Sequence, residues 1–248
     1  MDSLLPGATI LLMIPPAFAD IIIQFRGFFH DIAERGGSEY GIISAHPQVI
    51  RPGDHVVIVG GGDGRTVLSA ADLIREEGSV TVYEAGDRSV QQIRSLVAAT
   101  GITDVCTIHH TLVGPHIDVY GGDYSEASFL APEDLPPCDV LELDCEGAEV
   151  AILTSLQIQP RAIIVEIHPR CFREDPQWVL DRLAELGYTI VYRSGHEGIE
   201  LTEDEAHLLL MRSRIRRTYL KNGARSPVVV AALRNASDKG NGLYHDQV

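Results

Sequence analysis

From Pro52-Gly53 onward the chain alternates short runs of β-branched residues with longer amphipathic stretches. The runs are HVVIVG from His55, SVTVYE from Ser79, DVCTIHHTLV from Asp104, CDVLELD from Cys138 and RAIIVEIH from Arg161. Apolar runs of this kind between helical segments predict parallel strands covered on both faces. The 3.6-residue periodicity between them predicts helices around Thr66 to Glu77 and Arg88 to Thr100, another after Gly147, and one from Gln177 to Leu186. Gly187 supplies the left-handed residue that ends the last of these. Two later runs, YTIVYR from Tyr188 and SPVVVAALR from Ser226, are separated by a charged, helix-prone stretch, which predicts an antiparallel strand inserted late in the sheet. The expected fold class is α/β, a doubly wound sheet of seven strands with one late antiparallel strand.

Ahead of this pattern, Phe18, Ile21, Ile22, Phe25, Phe28, Phe29 and Ile32 recur at three- and four-residue steps until Gly36-Gly37, so a helix is expected there. The organisation expected is a helical cap segment over 1–52, the main domain over 53–235 and a polar tail over 236–248. The apolar stripe must be covered by the domain's own core, a second subunit or a membrane surface. A secretion signal is not expected, because the first charge is Asp2 and Pro15-Pro16 interrupts the apolar run. The expected location is the cytoplasm, with the stripe as a route to membrane association.

Composition narrows the classes further. With 248 residues and 45% hydrophobic content, at a mean hydropathy of +0.05, the chain can bury one well-packed core, which excludes disordered and fibrous proteins. Its 20 Lys+Arg against 35 Asp+Glu give a net charge of −15. Phosphate backbones would repel such a surface, so nucleic acid is not an expected partner. Lys221 and Lys239 are the only lysines. That lopsided acidity suits a surface screened by high salt. Cys106, Cys138, Cys145 and Cys171 form no CxxC motif and read as reduced thiols of a cytoplasmic protein.

The first candidate for chemistry is VVIVGGGDGRT, a strand running through a glycine-rich turn into a helix. Such a turn lets backbone approach a ligand closely and offers helix N–H groups to it. Its spacing is GxGxG, and Arg65 stands where a dinucleotide fingerprint would carry its third glycine. Gly60, Gly62, Asp63, Gly64 and Thr66 are the candidate ligand contacts here. Glu84, followed by Ala85, ends the next strand, where a carboxylate can accept hydrogen bonds from a ribose. In LELDCEGAEVAIL, Asp144 ends the fourth strand, and Glu146 and Glu149 open the following helix. Capping explains one or two of these acids. Glu166 and His168 end the fifth strand with side chains on one face. His168 is the expected general base, since its ordinary pKa lies near neutrality, with Glu166 and Glu146 beside it. His109, His110, His116 and Asp118 invite a metal reading, but neighbouring strand residues face opposite ways, and no metal is expected. Arg212, Arg214, Arg216 and Arg217 suit a solvated face or a receptor for an anionic acceptor.

VVIVGGGDGRT, VTVYEAGD, VLELDCEGAE, IIVEIHP and LAELGYTIV together resemble the successive blocks of FkbM-type methyltransferases, over about Pro52 to Arg234. The most specific element is DxEGAE at Asp144 to Glu149. Gly60-Gly61-Gly62 departs from the acid-Gly-Ala-Asn run usual in that family. The resemblance implies a class I, Rossmann-like fold, S-adenosyl-L-methionine as cofactor, and O-methylation of a glycan or other small hydroxyl or carboxyl acceptor. It further implies that Gly60, Gly62 and Gly64 wrap the methionine portion and Glu84 holds the ribose. His109 to Leu112, His110 among them, would flank the adenine, and Asp144 would face the amino group or the transferred methyl. Two other readings are an NAD or nucleotide-sugar-binding protein, against which the missing glycine counts, and a non-catalytic cofactor-binding module that meets a partner through its N-terminal stripe.

Overall fold

The computed structural model describes residues 40–115, 124–169, 175–210 and 227–236. The Phe18 to Ile32 stripe, His116, Asp118, Cys171, the Arg212 to Arg217 run and the polar tail after Ala236 lie outside them. In chain order the elements are α1 Tyr40–Val49, β1 His55–Val59, α2 Arg65–Ile74, β2 Ser79–Glu84, α3 Asp87–Thr100, β3 Cys106–Val113, β4 Ser128–Leu130 and β5 Val140–Leu143. They continue as α4 Glu149–Ser155, β6 Ala162–Ile167, α5 Trp178–Glu185, β7 Tyr188–Gly195, α6 Glu203–Leu210 and β8 Val228–Arg234.

The strands form one sheet in the order β4-β3-β2-β1-β5-β6-β8-β7. All neighbours run parallel except β8, which is antiparallel to both β6 and β7. This is the doubly wound α/β sheet expected, with its late antiparallel strand between β6 and β7. The sheet has eight strands rather than seven, because Ser128–Leu130 adds a short parallel edge to β3.

Alternating residues of the central strands feed two cores. Val56, Ile58, Val82 and Ile164 pack under α1, α2 and α3, through Ile42, Ala45, Ala70, Ile74, Ile93 and Val97. Val57, Leu141, Leu143, Val165 and Val230 pack against α4, α5 and α6, through Ile152, Leu153, Leu183 and Leu209. Full burial of each Leu or Ile is worth about 1.5–3 kcal/mol. Helix α1 belongs to the first core although it precedes Pro52. The helix expected to reach Glu77 gives way at Arg75, whose φ of 60° cannot continue an α-helix, to a 3₁₀ turn over Arg75–Glu77. Among the described residues, no helix is long and apolar enough to cross a membrane.

Candidate functional site

At the carboxyl ends of β1, β2, β5 and β6 the chain surrounds a cavity of about 390 Å³, within the range of small-molecule sites, about 300–1,000 Å³. Open α/β sheets bind ligands along this edge.

The glycine-rich turn forms its first wall. Gly60 has φ +91°, and a Cβ built on it would lie 1.8 Å from the Asp144 carbonyl oxygen. No side chain fits there. Backbone bonds continue the ladder on both sides, from Gly60 N–H to Tyr83 O at 2.9 Å and from Asp144 N–H to Val59 O at 2.9 Å. Gly60, Gly62 and Asp63 line the cavity. Gly64 caps α2 instead, in the left-handed region. Thr66 is buried one residue into that helix, its hydroxyl without a hydrogen-bond partner, and it does not reach the cavity wall.

Glu84 lies at the end of β2 as expected, 5% exposed. Its carboxylate holds the turn together. Oε2 accepts the N–H groups of Gly61 at 2.9 Å and Gly62 at 3.1 Å, and Oε1 accepts that of Gly86 at 2.7 Å. The Ala85 N–H adds a fourth backbone donor, so the turn's own amides take up most of the roughly four acceptor positions of the carboxylate. Burial raises the pKa of Glu84, against the lowering effect of these amides. Ala85 lines the cavity, and its carbonyl accepts the His110 Nε2–H at 3.0 Å; His110 itself does not line the cavity. His109 stacks on Tyr83 with ring centroids 5.0 Å apart. From the end of β3 it is Thr111, Leu112 and Val113 that line the site.

The three acids of DxEGAE have separate tasks. Glu149 is fully buried, and its two oxygens accept the N–H groups of Cys145 at 2.9 Å and Gly147 at 2.7 Å, so it braces the turn. Glu146 sits at the bend with φ 53°, a conformation a non-glycine residue adopts at a cost, and lines the cavity. Asp144 faces the cavity beside Glu166 and His168. Burial, then the neighbouring Glu166 charge, holds the Asp144 carboxyl well above its ordinary range. Burial also raises Glu149, against the pull of His168, and raises the Cys145 thiol together with the Glu149 charge.

Glu166 and His168 both reach the cavity, and a histidine that the sequence did not single out joins them. His196 lies in the tight turn after β7. Its backbone is held by Gly41 N–H to its carbonyl at 2.8 Å and by its own N–H to Pro227 O at 3.2 Å. Its Nδ1 is 2.6 Å from Glu166 Oε1. Burial pushes Glu166 up, but the hydrogen bond from His196 and the charges of His168 and His196 outweigh it and lower its pKa. His168 makes no contact of that kind: its approaches to four carboxylates are all between 3.7 and 4.0 Å. Among the described residues, Cys106, Cys138 and Cys145 are free thiols.

Comparison with protein-family models and with curated proteins returns no match. Among solved structures, the chain is similar to a ribosomal protein L11 methylase from Lactobacillus delbrueckii subsp. bulgaricus, at 16% identity over 79% of this chain and 77% of that one, with a TM-score of 0.47. It is similar to an SAM-dependent O-methyltransferase from Thermotoga maritima, at 15% identity over 81% and 66%, with a TM-score of 0.45. A third is fibrillarin from Aeropyrum pernix in complex with natively bound S-adenosyl-L-methionine, at 13% identity over 78% and 76%, with a TM-score of 0.45. These are likenesses of architecture, and the chemistry has to be read from the residues of this chain.

Proposed function

We propose that the chain is an S-adenosylmethionine-dependent O-methyltransferase of the FkbM type, acting on a glycan or other small hydroxylated or carboxylated acceptor. The observation that carries this reading is one cavity that joins a side-chain-free turn at Gly60, a buried carboxylate at Glu84 and an acid-rich wall of Asp144, Glu146 and Glu166. The turn suits the methionine portion, the Glu84 carboxylate at the cavity wall suits a ribose hydroxyl, and Leu112 and Val113 give the adenine an apolar wall. Negative charge along the last wall favours a sulfonium or ammonium group. Arg65 in place of a third glycine disfavours a dinucleotide.

S-adenosylmethionine supplies, when bound, a methyl group already activated on sulfur. The chain's residues have to hold an acceptor oxygen in line with it, keep water out and take the acceptor's proton. Orientation alone is worth about 7–11 kcal/mol in the best-aligned cases. For the proton, His196 is better placed than His168. Glu166 Oε1 accepts from the Nδ1–H of His196 at 2.6 Å, which selects the tautomer whose Nε2 is the basic nitrogen. His168 has no hydrogen-bonded partner to fix its ring in this way.

Titration calorimetry with S-adenosylmethionine and S-adenosylhomocysteine tests the reading. Glu84→Gln keeps the shape but loses a charged acceptor, and is expected to weaken both ligands roughly 10- to 100-fold. Thermal stabilisation by NAD or UDP, with both methionine-derived ligands inert, would overturn it.

A further inference from the structure

In the knot of side chains where β5 and β6 end, Asp144 and Glu166 are hydrogen-bonded to each other, while the His168 imidazole stands within ion-pair range of several carboxylates without closing on any of them. His168 Nε2 lies 3.7 Å from Asp144 Oδ1, 3.8 Å from Glu146 Oε1 and 4.0 Å from Glu166 Oε2. None of these is a hydrogen bond. On the other side of the ring, Nδ1 is buried with no hydrogen-bond partner, and Glu149 Oε1 stands 3.9 Å away. Charge-assisted pairs close to about 2.7–2.9 Å, as His46 and Glu142 do elsewhere in this molecule at 2.6 Å, and as Glu166 of this same cluster does with His196 at 2.6 Å.

Gaps of 3.7–4.0 Å around one nitrogen suit donor atoms that share something between them. The His168 nitrogen stands 3.7 Å from Asp144 and 4.0 Å from Glu166, and the two carboxylates are themselves in hydrogen-bond contact; donor atoms about 3–4 Å apart are compatible with bonds of about 2.0–2.2 Å to one divalent metal. One donor atom from each of Asp144, Glu166 and His168 lies within 4.8 Å of the other two. All three residues line the cavity, so an ion there would keep coordination positions open to it. The second oxygen of Glu166 is already taken by His196, the outer hydrogen bond that typically orients a ligating carboxylate.

We propose that Asp144, Glu166 and His168 form a site for a divalent first-row metal ion, Mn²⁺ or Zn²⁺, at the acceptor end of the cavity. One imidazole with two carboxylates suits these ions, whereas Mg²⁺ favours oxygen donors and retains its water. His168 is then a ligand through Nε2, which leaves proton transfer to His196. Resting on the methyltransferase reading, the open coordination positions narrow the acceptor to compounds with two adjacent oxygens, a vicinal diol or an α-hydroxycarboxylate. The ion would hold both oxygens and favour ionisation of the one to be methylated.

The test uses the full chain, stripped with a chelator and returned to metal-free buffer. Mn²⁺ is titrated in while free Mn²⁺ is followed by electron paramagnetic resonance, and Zn²⁺ is titrated against a chromophoric chelator. One saturable site per chain is expected, weakened roughly 100-fold or more in His168→Ala and Asp144→Asn and about 10-fold in His196→Asn, in line with losses of 10–100-fold for outer partners alone. Circular dichroism verifies that each variant folds, and His168→Gln stands in for any that does not. Absence of 1:1 binding for both ions, or affinity unmoved by His168 substitution, would overturn the site. S-adenosylhomocysteine titrated in the same samples is expected to bind alongside the metal. Competitive displacement of Mn²⁺ would instead give the acids to the cofactor's ammonium group and sink the proposal. Because S-adenosylhomocysteine is also titrated without metal, loss of the ion alone overturns only the metal site, and loss of the nucleoside alone overturns only the cofactor reading.

Discussion

His46 and His168 each stand beside a glutamate of the central sheet, Glu142 on β5 and Glu166 on β6, yet the two surroundings differ at every step. His46 reaches Glu142 at 2.6 Å and Ser69 at 2.8 Å, and both His46 and Glu142 are 0% exposed. That group ties α1 and α2 to β5 and opens on nothing. His168 has more acids around it, touches none within hydrogen-bond distance and faces a cavity. The same residue types therefore serve two purposes, and access tells them apart: His46 closes on Glu142 away from the cavity, although Glu142 Oε1 is itself buried without a partner, whereas His168 is left unclosed at a cavity wall. A pair sealed in the core stabilises a particular packing, and a histidine facing a cavity leaves room for something else.

The largest effect expected from breaking this contrast is on the closed pair. His46→Ala leaves the Glu142 carboxylate buried without its main partner and should lower unfolding free energy by about 3–5 kcal/mol, read from urea denaturation. The folded fraction should bind S-adenosylhomocysteine with unchanged affinity. The double variant His46→Leu, Glu142→Met should recover much of the loss; if it is as unstable as the single one, the pair is not what the region depends on.

A smaller effect is expected at the open cluster, with the opposite sign. The Asp144 carboxyl sits well above its ordinary 3.8 when folded. Its contribution is therefore whole below that value and is lost as pH rises through the folded value, because a half-buried group beside other acids is forced to ionise. Each tenfold change in proton affinity is about 1.4 kcal/mol. Glu149, also raised, adds in the same direction. Glu166, lowered, acts the other way, giving stability above its ordinary 4.5 that fades as pH falls through its folded value. Asp144→Asn should flatten the loss of stability on the rising side and be more stable than the parent at neutral pH. An unchanged pH profile of urea midpoints would remove Asp144 from the cluster's electrostatics.

The smallest effect concerns neither group. At a net charge of −15 the exposed acids repel one another, and withdrawal of salt lengthens the Debye length from about 3 Å at 1 M to about 30 Å at 0.01 M. The thermal midpoint is expected to fall by a few degrees along that series, equally in the parent and in His46→Ala. A flat response would dismiss the high-salt reading of the surface.

Most of the sheet is legible in the sequence, because strands buried on both faces have to be nearly continuous apolar runs. Strand β4 is not, since three residues with Phe129 60% exposed carry no pattern. Helix α1 is hidden by His46 and by Pro47 inside it. At the site, Glu84 is legible as the acid ending β2, but its grip on the Gly61 and Gly62 amides depends on how the turn folds back. His196 is the clearest omission. In RSGHEGIE it looks like any loop histidine, and it reaches Glu166 only because β8 lies between β6 and β7, pairing Val228 with Ile167 on one side and with Gly195 on the other. That juxtaposition is a property of strand order, which no local motif encodes.

Gly60 meets the Asp144 carbonyl so closely that no slack is left between the turn after β1 and the turn after β5. The two turns are in direct backbone contact, so if an occupant at one end of the cavity shifts the peptide that carries Asp144 and with it the affinity at the other end, the second must alter the first by the same factor.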